Sequence, residues 1–360
     1  MKKLFLFSVA ALALGACSND EVINENTTAQ QPKEIAFSLF SQPNTRVAAD
    51  TYQYAIDGTT FPTDLNMYVA AYQVEPTAEN YFAGTQFIYN YAGGASGSSA
   101  KWGGATAKYW PLSPCYINFL AYANVTGTAA FDATNYASAA TITQSDNSTA
   151  QTDLMYAIGN GEVTQSGNAL TFPTQVDMAF KHAQAWMDFY VKANSSVETG
   201  ITVNSITLKG AKYAGTYTIT HTAYNAKTGQ SVAGAWSSLG DAKNVAVPGW
   251  SPTALTADFV QVGNGLMIVP DDNTSTNDWT SFVINYTWDG KTYDYEYTAP
   301  AAPGATAAQA THYVFNITFK LHEIFVAATV TDWFTTLRTV AVNVLLLNHK
   351  FTITKPVLPA

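Results

Sequence analysis

The sequence predicts an all-β protein made of two tandem antiparallel β-sandwich domains. Apolar residues recur at period two in many segments, and helical spacing is scarce. Turn formers separate most of these segments. The composition agrees. Aromatic residues make up 13% of the chain, led by 21 tyrosines, against 12% charged residues. Aromatic and β-branched side chains suit a pleated, half-buried surface.

Taken in order, Ile35–Phe40 reads as a short first strand. Asn66–Val74 follows, with Met67, Val69, Ala71 and Gln73 on one face and Tyr68, Ala70, Tyr72 and Val74 on the other. Ala92–Gly104 is a glycine- and serine-rich loop. Lys108-Tyr109-Trp110-Pro111 leads into a strand over Tyr116–Ala123, and Asn124–Asp153, small and polar, reads as a long excursion at one end of a sandwich. Leu170–Phe180 and Gln184–Lys192 read as a hairpin turning at Lys181-His182. The alternating flanks favour this over a helix across Val176–Val191. Strands are then expected at Ile201–Lys209, Tyr213–Thr220, Gly265–Val269, Ser281–Trp288, Thr292–Thr298 and Tyr313–Leu321. Asp289-Gly290 suits the type I′ turn of a two-residue hairpin. These signals divide the chain into an N-terminal sandwich domain over residues 35–168 and a C-terminal one over 169–360.

The N-terminus has its own logic. Lys2 and Lys3 precede an apolar stretch, Leu4–Leu14, that is too short to cross a bilayer core of about 30 Å. It ends in Leu14-Gly15-Ala16-Cys17, which resembles a bacterial lipobox. Residues 1–16 are therefore read as a lipoprotein signal peptide and Cys17 as the lipidation site. Acyl chains such as palmitate would anchor the chain in an outer membrane at about 0.8 kcal/mol per buried CH₂. Residues 17–34 read as a solvated tether. The acidic pair Asp20-Glu21 resembles a signal for export to the outer face.

Other function classes find little support. The formal net charge of −9 argues against a nucleic-acid partner, which requires clustered Lys and Arg. There is no P-loop, no His-Glu-x-x-His and no Gly-x-Ser-x-Gly, so a non-enzymatic role without cofactor or metal is expected. His182, His221, His312, His322 and His349 lack metal-ligand spacing, and Asp271-Asp272-Asn273 reads as a solvated turn. If Cys17 is acylated, Cys115 is left without a disulfide partner, and its apolar setting suggests an inert, buried thiol. Trp102, Trp110, Trp236, Trp250, Trp279 and Trp288 could be glycan platforms or core residues.

Ile35-Ala36-Phe37-Ser38 is followed closely by Thr45-Arg46-Val47-Ala48, and Tyr109-Trp110-Pro111 by Asn118-Phe119-Leu120-Ala121-Tyr122-Ala123. Thr152-Asp153-Leu154-Met155-Tyr156-Ala157, Phe180-Lys181-His182-Ala183, Leu266-Met267-Ile268-Val269-Pro270 and Val330-Thr331-Asp332-Trp333 complete the set. In this order and spacing the segments together resemble the fimbrillin family of type V pilus subunits and fimbrillin-like surface lipoproteins. The resemblance implies two transthyretin-like sandwiches, cleavage by an arginine-specific protease, and polymerisation with other fimbrillin subunits by strand exchange.

Carried onto this chain, the cut falls between Arg46 and Val47, in a polar, proline-marked link. It would release residues 35–46 and with them Ile35, Phe37 and Leu39 of a removable first strand. Residues 334–360 form a candidate donor tail, in which Val340, Val342, Val344 and Leu346, then Phe351 and Ile353, alternate with their neighbours. The continuous run Val344–Leu347 departs from strict alternation. Two readings stay open: an adhesive fimbrial subunit, and a non-polymerising surface lipoprotein of the same fold that binds glycan or protein ligands.

Overall fold

A computed structural model describes residues 31–40, 66–89, 102–104, 107–131, 139–196, 198–221, 232–271, 278–299, 307–320, 323–332 and 340–341. Its strands begin with β1 (Phe37–Phe40), β2 (Asn66–Glu75), β3 (Glu79–Tyr89), β4 (Trp102–Gly104) and β5 (Cys115–Ala123). Next come β6 (Thr128–Phe131), β7 (Ala139–Gln144), β8 (Met155–Ser166), β9 (Ala169–Thr171) and β10 (Val176–His182). The later strands are β11 (Ala185–Ala193), β12 (Thr202–Ala211), β13 (Gly215–His221), β14 (Val232–Ser237), β15 (Lys243–Ala246), β16 (Thr253–Ala254) and β17 (Val260–Gln261). The series ends with β18 (Leu266–Ile268), β19 (Ser281–Trp288), β20 (Lys291–Thr298), β21 (Thr311–Lys320), β22 (Glu323–Asp332) and β23 (Val340–Ala341). The only helical element among the described residues is a 3₁₀ turn at Glu198–Gly200. The fold is all-β.

Four sheets result. The first runs β1-β10-β8-β5-β2-β3-β4, with β9 on β8, and the second runs β14-β13-β7-β6. The third runs β17-β11-β21-β22-β23, with β18 on β11, and the fourth β15-β12-β19-β20, with β16 on β12. Pairing is antiparallel except for β1 with β10 and β11 with β21.

The centre of the first sheet is buried on both faces. Met67, Val69 and Ala71 of β2 share one core with Ile117, Phe119 and Ala121 of β5. Ala70 of β2 and Leu120 and Tyr122 of β5 face the second sheet's Ile142, Tyr217, Ile219 and Trp236. The third and fourth sheets enclose a separate core built on Met187, Phe189, Leu208, Phe282, Phe315 and Ile317. Residues from Pro32 onward form one compact unit.

Three expectations need correction. β10 and β11 do not form a hairpin: β10 pairs with β8 and β1, while β11 pairs with β17, β18 and β21. The chain changes sheets at Ala183-Gln184, so β9 and β10, placed after residue 168, extend the first sheet. The excursion expected over Asn124–Asp153 contains two strands, β6 and β7, both in the second sheet. Ala140 and Ile142 of β7 are buried against Tyr217, Ile219 and Trp236 of β13 and β14, so a segment polar in composition carries part of a core.

The hairpin β13–β14 is the other surprise. It lies between β12 and β15 in sequence, both strands of the fourth sheet, yet it completes the second sheet against β7. The later half of the chain thereby lends two strands to the earlier half. At the Trp288–Lys291 turn, Asp289 and Gly290 have φ of 49° and 70°, the left-handed pair that a type I′ turn requires.

Candidate functional site

The most informative site is the first strand and the groove it fills. β1 is the terminal strand of its sheet and pairs in parallel with β10, matching Phe37 to Val176 and Leu39 to Met178. Just before it, the chain is held on two sides. Ile35 N donates to Lys108 O at 2.8 Å, and Trp110 N donates to Lys33 O at 2.9 Å. On the β10 side, Val176 N donates to Ala36 O at 2.7 Å.

The side chains go inward. Ile35 is 1% exposed and Phe37 4% exposed. The Phe37 ring meets Phe87 edge-on at 4.9 Å and Phe119 at 5.4 Å, while Trp110 meets Phe119 at 5.7 Å. Such aromatic contacts add to area burial. Trp110 can lie against the sheet because β8 carries glycine there: a Cβ on Gly161 would fall 2.3 Å from Trp110 Cη2. Full burial of Ile35 and Phe37 contributes about 1.5–3 kcal/mol each. β1 is therefore a structural part of the core, and its pairing among the described residues is with β10 at the end of the sheet.

Around this groove the surface is partly apolar. Tyr109 is 47% exposed and Leu112 is exposed as well, and Tyr81 Oη donates to Tyr109 O at 2.5 Å. Lys108 Nζ lies 5.3 Å above the Phe82 ring.

Of the tail, β23 pairs with the edge of β22, matching Val340 to Val330 and Ala341 to Thr329. Val340 thus borders the third sheet, remote in topology from β1. Leu39 belongs to β1 by its backbone. Cys17, Arg46, Val47, Val342, Val344, Leu346, Phe351 and Ile353 lie outside the described residues.

The sequence reading missed β10 as the partner of β1, because a parallel pair so far apart in the chain has no local signature. It also missed two buried carboxylate–imidazole pairs. Asp153 Oδ2 lies 2.5 Å from His182 Nδ1, and Asp188 Oδ2 lies 2.8 Å from His312 Nε2. Burial pushes the Asp153 carboxyl above the usual carboxylate range, with His182 pulling it back. Each pair joins strands or segments of different origin. Among the described residues no group of three or more His, Cys, Asp or Glu could hold a metal ion, and no helix is long and apolar enough to cross a membrane.

Cys115 opens β5 and is 4% exposed; burial, aided by Glu162, pushes its thiol upward. The thiolate is the reactive form. Native protein is therefore expected to resist iodoacetamide at neutral pH, and denaturant should restore full labelling. Rapid native labelling, followed by mass spectrometry, would refute this.

Fold and site together define a structural β-protein whose edge strand completes its own core. A family model described as fimbrillin-like matches residues 44–333, and the chain belongs to that family. Its role is accordingly that of a fimbrial structural protein at the cell surface. Among solved structures, a fimbrial protein from Bacteroides vulgatus is similar at a TM-score of 0.52 and 14% identity, covering 84% of this chain and 99% of its own. The tip fimbrial protein Mfa3 from Porphyromonas gingivalis, with a C-terminal truncation, gives a TM-score of 0.38 and 14% identity, covering 74% of this chain and 94% of its own. At such identity the Bacteroides vulgatus likeness bears on fold alone. No curated protein matches the chain.

Proposed function

We propose that this chain is a polymerising subunit of an adhesive surface fimbria, exported as a lipoprotein on Cys17 and cut after Arg46 by an arginine-specific protease. The cut releases the lipid anchor together with Ile35, Phe37 and Leu39. It leaves a groove along β10, and an extended tail strand of a neighbouring subunit fills it. The tail from Val340 onward, with Val342, Val344, Leu346, Phe351 and Ile353, supplies apolar side chains at period two for that groove. The two chain halves on either side of β10 and β11 are read as tandem sandwich domains.

The observation that carries the reading is the burial of Ile35 and Phe37 by a leading segment that ends as the terminal strand of its sheet, paired with β10. Losing a core strand exposes Phe87, Phe119 and the edge of β10, a surface that is stable only when covered again. Each large aliphatic side chain that replaces it would regain about 1.5–3 kcal/mol before ordering costs.

Treating purified mature chain with a trace of arginine-specific protease should produce ladders that survive SDS without heating. Deleting residues 340–360 should abolish them, and the new N-terminus should be Val47. A monomer throughout, with measurable glycan affinity, would favour the binding lipoprotein instead.

A further inference from the structure

We propose that residues 144–154 form a clasp that fixes the two halves of the molecule in one orientation, so that an assembled subunit carries tension as a single body. Bearing tension presupposes the fimbrial role proposed above; the clasp itself does not.

This segment joins β7, in the second sheet, to β8, in the first, yet most of its bonds reach elsewhere. Gln144, Asn147, Ser148, Gln151 and Asp153 are all buried despite being polar. Buried polar side chains of this kind are held by partners. Gln151 Nε2 donates to Gly265 O at 3.0 Å, and its Oε1 accepts from Met267 N. The amide thus occupies the free edge of β18, whose other edge is taken by β11, much as an extra strand would.

Asp146 Oδ2 pairs with Lys243 of β15, in the fourth sheet. Asn147 Nδ2 donates to Thr152 O at 2.9 Å, closing the segment on itself. At its far end Asp153 meets His182, Leu154 N donates to Gln184 Oε1 at 2.9 Å, and Ala183 N donates to Leu154 O at 2.8 Å. Trp236 Nε1 adds a 2.6 Å bond to Ala183 O from β14. One short segment therefore grips β15, β18 and the point where the chain changes sheets.

The placement gives these contacts a mechanical meaning. The β1 groove lies at an edge of the first sheet, and β23 borders an edge of the third. If neighbours attach at those two edges, every pull along the polymer crosses from one half to the other. A loose junction would flex there.

The test uses unpolymerised mature chain carrying Cys17→Ser and Cys115→Ser, with spin labels at Thr164→Cys in β8 and Thr292→Cys in β20, both exposed positions. Electron–electron resonance should give one narrow distance distribution. Adding Gln151→Ala should widen it about twofold, as a freed hinge would. A distribution already broad without the substitution, or one equally narrow with it, overturns the clasp. If circular dichroism shows that Gln151→Ala does not fold, the pair Asp146→Ser and Lys243→Ser cuts an exposed contact instead. It should also broaden the distribution, and no change would count against the proposal. Widening in a chain that never forms ladders would leave the clasp standing and remove only its fimbrial role.

Discussion

Phe37→Ala is expected to lower the unfolding free energy of the uncut chain by about 3–5 kcal/mol, the usual cost of truncating a buried phenylalanine. Phe37 is packed edge-on between Phe87 and Phe119, and its strand pairs with β10 at Val176 to Ala179. The cavity would open in the middle of that aromatic cluster, where rigid neighbouring rings on β3 and β5 cannot collapse inward. After cleavage at Arg46 and release of the leading segment, the same substitution should have no effect, because the residue has left with its strand. Urea unfolding of both variants, before and after protease treatment, measures the difference directly. An equal loss in cut and uncut protein would mean that β1 stays bound after the link is broken.

Deleting the hairpin β13–β14 should be costlier still. Gly240 N donates to Ala214 O at 3.0 Å, so the ends of the insertion already meet and a short glycine linker can join them. The deletion removes Tyr217, Ile219 and Trp236 from the core shared with Leu120, Tyr122 and Tyr156. Those three side chains alone contribute roughly 5–9 kcal/mol of burial. That is comparable to the whole stability of a typical domain, about 5–15 kcal/mol. The first sheet would be left with a bare apolar face, and the shortened chain is expected to aggregate or expose that face to hydrophobic dyes. A soluble product with an unchanged melting temperature would show that the second sheet is dispensable.

The particular residues show how far a sequence reading reaches here. The two faces of β2 were legible because Met67, Val69 and Ala71 alternate with Tyr68 and Tyr72 in a single strand. The Asp289-Gly290 turn was legible because its chemistry is local. β6 and β7 were not, since their Ala and Thr carry little hydrophobic signal, and Ala140 and Ile142 gain their cover from Tyr217, far along the chain. The change of sheets at Ala183-Gln184 was hidden as well. Nothing local distinguishes a turn from a crossover there, and what decides it is Asp153 and Leu154 reaching in from the preceding segment. Of the candidate site, Ile35 and Phe37 stood out by their pattern. Their partner strand did not, because parallel pairing between residues 37 and 176 leaves no trace in either stretch.

Every residue of β5 is buried, and its strand is covered on both faces. The middle of the first sheet therefore offers no side chain that can vary without disturbing one core or the other. Diversity among relatives should gather instead on such places as the outward edge of β20 and the connecting loops. The centre of the sheet should drift only among side chains of similar volume.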